Sequence, residues 1–109
     1  MSSIEKQWPD DADGDVLRRM KARGFDFEQP CLIDFNVDFE SWPPSEVAMR
    51  MLEQKYPSSK AYPPGSGSGY VQFQIYGKLT YELVIGTQRD VSQEMAEFGG
   101  VCESWGVLH

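Results

Sequence analysis

Histidine and cysteine are scarce in this sequence, and their scarcity excludes several kinds of chemistry. His109 is the only histidine, and Cys31 and Cys102 are the only cysteines. The two cysteines form no Cys-x-x-Cys pair, so the sequence has neither a zinc ligand set nor a dithiol redox motif. A catalytic Ser–His or Cys–His pair would have to use the last residue of the chain. We therefore expect no cofactor, no metal ion and no enzymatic activity.

The sequence also lacks a long apolar run and an excess of basic residues. No stretch approaches the ~20 apolar residues of a membrane span, and the first residues, MSSIEKQWPDD, do not have the pattern of a secretory signal. Seventeen Asp and Glu residues against ten Lys and Arg residues give a formal net charge of −7. This sign disfavours phosphate backbones and suits a basic protein partner. We expect a cytoplasmic protein that binds neither membranes nor nucleic acid directly.

The length of 109 residues is sufficient for one domain. Residues 1–12 are polar and are predicted to form a flexible N-terminal arm, and residues 13–109 are predicted to form the single domain. Asp13 or Asp15 can cap a first helix, and Gly24 suits the left-handed residue that ends it.

The strongest strand pattern is CLIDFNVDF, residues 31–39, in which every odd-numbered residue is apolar and faces one side. Residues 70–76 and 79–86 alternate in a similar way, and residues 101–107 are predicted to be a final strand. The inward residues of the two middle strands are all odd-numbered, which a two-residue turn would not allow. A three-residue connection or a bulge is therefore expected near Gly77.

Two further helices are predicted after the first strand. One lies between Pro44 and Pro57, since proline is accepted in the first turn of a helix and stops a helix elsewhere. The other is short, begins at Asp90 and ends at Gly99. Residues 57–69, PSSKAYPPGSGSG, have the composition of a mobile loop.

After the first helix, the predicted order of elements is β-α-β-β-α-β. With right-handed crossovers, this order closes most simply as an α+β ferredoxin-like sandwich. The predicted sheet is antiparallel with strand order 4-1-3-2, and both crossover helices cover one face. The extra N-terminal helix completes the domain.

Several short stretches resemble the regulator of ribonuclease E activity B (RraB) domain family over nearly the whole chain. These stretches are Asp13 to Arg18, Gly24, Asp34-Phe35, Gly99-Gly100 and Trp105-Gly106. The resemblance implies a ferredoxin-like fold with an extra N-terminal helix and a non-enzymatic protein that binds ribonuclease E. Between the last two stretches, Cys102, Glu103 and Ser104 stand where the family pattern has Tyr-Asp-Gly.

Five residues are candidates for a partner-binding surface: Asp34, Asn36, Asp38, Glu82 and Trp105. The first four are expected on the sheet face that the crossover helices leave open, where they would form an acidic docking surface. A solvated polar face is the alternative interpretation, since an antiparallel sheet normally keeps one face wet. Trp105 is either an exposed interface anchor or a buried anchor of the last strand. The central strand offers acidic rather than aromatic residues, which argues against RNA recognition by this face.

The predicted function is a non-enzymatic, protein-binding regulator, and the resemblance implies an inhibitor of ribonuclease E-type RNA turnover. The predicted state is a monomer or a weak homodimer. Two alternatives stay open. One is a small-molecule-binding sensor module that uses the strand edges and the 57–69 loop. The other is an immunity protein that neutralises a toxin.

Overall fold

The computed structural model describes residues 9–63 and 69–107, which form three helices and a four-stranded antiparallel sheet. The helices are α1 (Ala12–Ala22), α2 (Glu46–Lys55) and α3 (Tyr81–Met95). The strands are β1 (Cys31–Phe39), β2 (Lys60–Tyr62), β3 (Tyr70–Gly77) and β4 (Gly100–Val107). Residues 1–8 of the predicted arm lie outside the described residues, so its boundary at residue 12 stays a prediction.

Helix α1 lies where the sequence predicts it, but its N-cap lies two residues before the nearer predicted one. The side chain of Asp11, rather than Asp13 or Asp15, accepts a hydrogen bond of 2.7 Å from the backbone N–H of Gly14. The helix ends as expected, because Gly24 has a φ of 88°. Leu17 is fully buried and anchors α1 to the core.

The core lies between one face of the sheet and all three helices. Strand β1 supplies its centre, and the alternation predicted from the sequence is confirmed: Ile33, Phe35, Val37 and Phe39 are buried. Residues of α1, α2 and α3 belong to the same apolar cluster. The opposite face of the sheet carries none of the described helices.

The strand order is β2-β3-β1-β4, with every pair antiparallel. Counted from β4, the strand order is the predicted 4-1-3-2. However, the strand next to β1 and the edge strand beyond it are formed by other segments than those predicted. Residues 70–77 pair directly with β1 instead of forming an edge. The edge position belongs to Lys60–Tyr62, inside the stretch predicted to be a mobile loop.

The strand predicted over residues 79–86 is wrong, since the 15-residue helix α3 begins at Tyr81. The helix predicted from Asp90 to Gly99 is confirmed as helical and ends as predicted, but it is the continuation of α3 and of the turn Ala96–Phe98, not a separate short helix. The hydroxyl of Thr80 caps this helix by accepting a hydrogen bond of 3.0 Å from the N–H of Leu83. The buried residues of α3 repeat with the period of a helix. They are Val84, Thr87, Gln88, Val91 and Met95.

A β-bulge divides β4. Asn36 pairs with Ser104 while Val37 pairs with Cys102, which leaves Glu103 without a partner on β1. Because of this extra residue, Cys102 and Trp105 both lie on the core side although their numbers differ in parity. The bulge occupies the segment where the sequence departs from the family pattern.

Candidate functional site

The face of the sheet away from the helices, called here the open face, is the candidate site. It carries the even-numbered residues of β1 and β3 together with the β2 and β4 residues that pair with them. Asp34, Asn36 and Asp38 lie on it in one row, as the sequence predicts. All three are half-buried by their neighbours on this face.

Hydrogen bonds between side chains tie the middle of the open face together. Gln74 donates through Nε2 to Oδ1 of Asp34 at 2.7 Å, and Gln72 donates through Nε2 to Oδ1 of Asn36 at 3.0 Å. Asn36 in turn donates through Nδ2 to the hydroxyl of Ser104 at 3.1 Å. These bonds connect β3, β1 and β4 directly, so the polar surface is held in place by its own cross-strand contacts.

Tyrosines lie at both ends of the polar row. Tyr62 and Tyr70 stack with their ring centroids 5.0 Å apart. Tyr76 pairs with Leu32 at the opposite end of the face, and its side chain is 68% exposed. The sequence does not predict this grouping, because its pattern places residues 70–76 at the edge of the sheet. Exposed aromatic rings of this kind are frequent anchors of protein interfaces.

The charge of the open face is mainly negative. Among the described residues, no Lys or Arg nitrogen forms an ion pair with Asp34 or Asp38. Lys60 is the one cation among the described residues of this face, and it lies 5.6 Å from the ring centroid of Tyr62. Asp34 and Asp38 are four residues apart on one strand, or about 13 Å at ~3.3 Å per residue. The two carboxylates are therefore spaced to meet two separate basic side chains.

Glu82 does not belong to the open face, which corrects its predicted position on a strand. It lies in the first turn of α3, where a negative charge is favourable near the helix N-terminus. Its side chain lines a cavity of about 450 Å³. The other residues of this cavity are Phe27, Glu28, Lys78, Leu79, Thr80 and Tyr81. None of them belongs to the 57–69 segment suggested for a small-molecule site.

Trp105 also lies away from the open face, on the core side of β4 opposite Phe35. It is half-buried against the core, and its indole Nε1 donates a hydrogen bond of 2.8 Å to Oδ1 of Asp13 on α1. Gln88 on α3 donates through Nε2 to Oδ2 of the same carboxylate at 3.3 Å. Asp13 thereby joins α1, α3 and β4, and Trp105 takes part in the attachment of α1.

Replacing Asp13 with alanine is expected to lower the free energy of unfolding by about 1–3 kcal/mol, since the partly buried indole N–H loses a charged acceptor. Asp13→Asn keeps an oxygen at Oδ1 and is expected to lose less. Urea denaturation of the three proteins measures the difference. Equal losses in both variants would mean that the charge at the start of α1, and not the bond to Trp105, carries the effect.

The two cysteines are free thiols. Cys31 pairs with Gly77 at one end of β1, while Cys102 pairs with Val37 towards the other end. Burial, with the charges of Asp38 and Glu103, raises the pKa of the Cys102 thiol to about 12. Cys102 is therefore protonated and a poor nucleophile at neutral pH.

The described ranges, 9–63 and 69–107, hold neither a metal-binding cluster nor a membrane-spanning helix. No three His, Cys, Asp or Glu side chains are grouped there so that they could hold a metal ion. None of the helices in these ranges has the length and apolar composition needed to cross a bilayer.

A family model described as regulator of ribonuclease activity B matches residues 10–107. The chain belongs to this family, RraB. The match extends from the residue before the α1 cap to the last residue of β4, so it includes every described helix and strand. Neither a search of curated proteins nor a search of solved structures returns a match.

Membership of the RraB family agrees with the resemblance found in the sequence, and the family description is that of a regulator. The stretches that carried the resemblance now have structural positions. Asp13 joins three elements, Asp34 lies on the open face, and Gly99 has a φ of 74° at the end of the turn after α3. Most of these residues shape the fold, and Asp34 with its partner Gly106 lies on the candidate surface.

Proposed function

We propose that this chain is a non-enzymatic regulator that binds a ribonuclease through the open face. The observation that carries the proposal is the RraB family match over residues 10–107. The open face supplies the surface, because Asp34 and Asp38 lie on it without an ion pair to any described cation. Ribonuclease E is the partner that the resemblance implies.

The chemistry of the face indicates what part of the ribonuclease it would contact. Two carboxylates about 13 Å apart suit an extended segment with basic residues four positions apart. The tyrosines at both ends of the row offer flat rings to apolar or guanidinium groups of the same segment. The negative charge of the face opposes direct contact with RNA, so the regulator would act on the enzyme and not on its substrate.

We also infer that the fold is ferredoxin-like and that the protein acts in the cytoplasm. The order of elements after α1 is β1-α2-β2-β3-α3-β4, which is the β-α-β-β-α-β order of that fold.

Glu82 and Trp105 are left out of the proposed surface, since the structure places both of them away from the open face.

The proposed function is tested by adding the purified chain to purified ribonuclease E with a labelled RNA substrate. We expect the cleavage rate or the choice of cleavage sites to change in proportion to the bound fraction of enzyme. A mobility-shift assay with the same RNA and no enzyme serves as the control, and no shift is expected. Unchanged cleavage at a saturating concentration of the chain would contradict the proposal.

A further inference from the structure

Two serine side chains occupy places where a neighbouring strand would lie. At one side of the sheet, the backbone N–H of Gln74 donates to the hydroxyl of Ser58 at 2.8 Å, and the same hydroxyl donates to the carbonyl of Gln74 at 3.3 Å. At the other side, the N–H of Cys102 donates to the hydroxyl of Ser92 at 2.8 Å. That hydroxyl donates to the carbonyl of Cys102 at 3.3 Å. In both cases one hydroxyl satisfies both backbone groups of a single residue.

Ser58 lies in register with the strand that it replaces. Lys60 pairs with Gln72 in β2 and β3, so the continued register would place residue 58 opposite Gln74. The ladder of backbone hydrogen bonds is short here because β2 has only three residues. The Ser58 side chain therefore covers part of β3 that β2 leaves unpaired.

Ser92 reaches the sheet from a helix. It lies on α3, next in the chain to the fully buried Val91, and it contacts the backbone of β4 at Cys102. Glu103 forms the bulge of β4 immediately after this point. A bulge, a charged side chain and a covering helix are all known ways of preventing a sheet edge from pairing with another strand.

We propose that Ser58 and Ser92 block strand addition at Gln74 of β3, beyond the end of β2, and at Cys102 of the edge strand β4, whether by a second copy of this chain or by an extended segment of a partner. Strand addition needs free N–H and C=O groups along the edge. At Gln74 and Cys102 those groups are already bonded within the chain. A strand added over either residue would have to displace the serine hydroxyl. The inference concerns the edges alone and does not depend on ribonuclease binding.

The test compares the wild-type protein with a Ser58→Ala/Ser92→Ala double variant. Ser104→Ala is the matched control, because Ser104 lies on the open face and its hydroxyl accepts from a side chain, not from an edge backbone group. Near-UV circular dichroism establishes that each variant is folded. Amide hydrogen exchange then reports on residues 74 and 102, and sedimentation from micromolar to millimolar concentration reports on self-association.

We expect exchange at both amides to be faster in the double variant by roughly tenfold, the factor that corresponds to about one net hydrogen bond. We also expect the double variant to self-associate at concentrations where the wild-type protein and Ser104→Ala remain monomers. A double variant that stays monomeric would overturn the inference. A wild-type dimer whose formation slows exchange at residue 74 or 102 would overturn it as well.

A single-site comparison keeps the result clear if the double variant does not fold. Ser58→Ala alone changes an exposed serine outside the helices and should leave the fold intact. Faster exchange confined to residue 74, together with association in this variant, supports closure at that edge. Unchanged exchange at residue 74 contradicts it.

Discussion

Replacing Phe35 with alanine is expected to lower the free energy of unfolding by about 3–5 kcal/mol. Phe35 lies at the centre of β1 and has no exposed surface. Its ring stacks on Phe73 with the centroids 5.4 Å apart, and Phe73 stacks on Tyr56 at 3.9 Å. The substitution therefore leaves a cavity in the core at one end of a row of three stacked aromatic rings. Small domains have a total stability of about 5–15 kcal/mol, so much of it would be lost.

Urea denaturation followed by circular dichroism measures this effect, and Tyr76→Ala is its control. Tyr76 is an aromatic residue of the same sheet, but its side chain is 68% exposed on the open face. Its removal is expected to cost less than about 1 kcal/mol. A Phe35→Ala protein as stable as Tyr76→Ala would show that the sheet is not packed as described.

Replacing Gly100 with alanine is expected to cost about 1–3 kcal/mol through overpacking. A Cβ atom at Gly100 would lie 2.8 Å from Cε1 of Phe39 and 2.9 Å from Cβ of Met95. Both neighbours are buried core residues, so neither can move without disturbing others. Gly100 is thus required where β4 begins beneath the end of α3.

Gly106 lies on the same strand and gives a matched comparison. Its replacement with alanine is expected to change the free energy of unfolding in the opposite direction. A Cβ atom there meets no atom within 4 Å, and the φ of Gly106 is not positive. Gly106→Ala is therefore expected to stabilise the protein by up to about 1 kcal/mol, because alanine restricts the unfolded chain more than glycine does. Equal effects at the two positions would contradict the packing around Gly100.

Sequence patterns predict this fold best where one period extends over many residues. Strand β1 alternates over nine residues, and the sequence predicts its observed bounds, because a helix would scatter those apolar residues around its whole circumference. Residues 79–86 alternate as well, yet from Tyr81 onwards they belong to α3. The sequence itself indicates that a strand over residues 79–86 is wrong. Two consecutive strands whose inward residues are all odd-numbered cannot be joined by an ordinary two-residue turn at Gly77. A helix that begins with Thr80 as its cap removes that conflict.

Strand β2 could not be predicted from a pattern of its own. Three residues are too few to show alternation, and they lie between prolines and serines that indicate a loop. Their pairing is decided by β3, which offers an unpaired edge. This error also changes the predicted site, because moving residues 70–77 next to β1 places Tyr70 opposite Asp38 and Tyr76 opposite Leu32 on the open face.

The sequence predicts part of the candidate site. Asp34, Asn36 and Asp38 follow from the alternation of β1 alone and lie on the expected face. The prediction places Glu82 on the open face only because it treats residues 79–86 as a strand. Trp105 lies on the expected strand, but a bulge beside it decides its side of the sheet, and this bulge has no reliable sequence signal. The contact between Trp105 and Asp13, far apart in the chain, requires the tertiary structure.

The measurement that tests the central claim most directly is the affinity of ribonuclease E for an Asp34→Lys/Asp38→Lys variant. Its control is Glu53→Lys/Glu97→Lys, which changes the net charge equally at two exposed residues away from the open face. If the open face binds a basic segment, the first variant loses affinity by tenfold or more, as expected for repulsion at close charge pairs, and the control stays close to wild type. Equal affinity of both variants, or an equal loss in both, would contradict the open face as the binding surface.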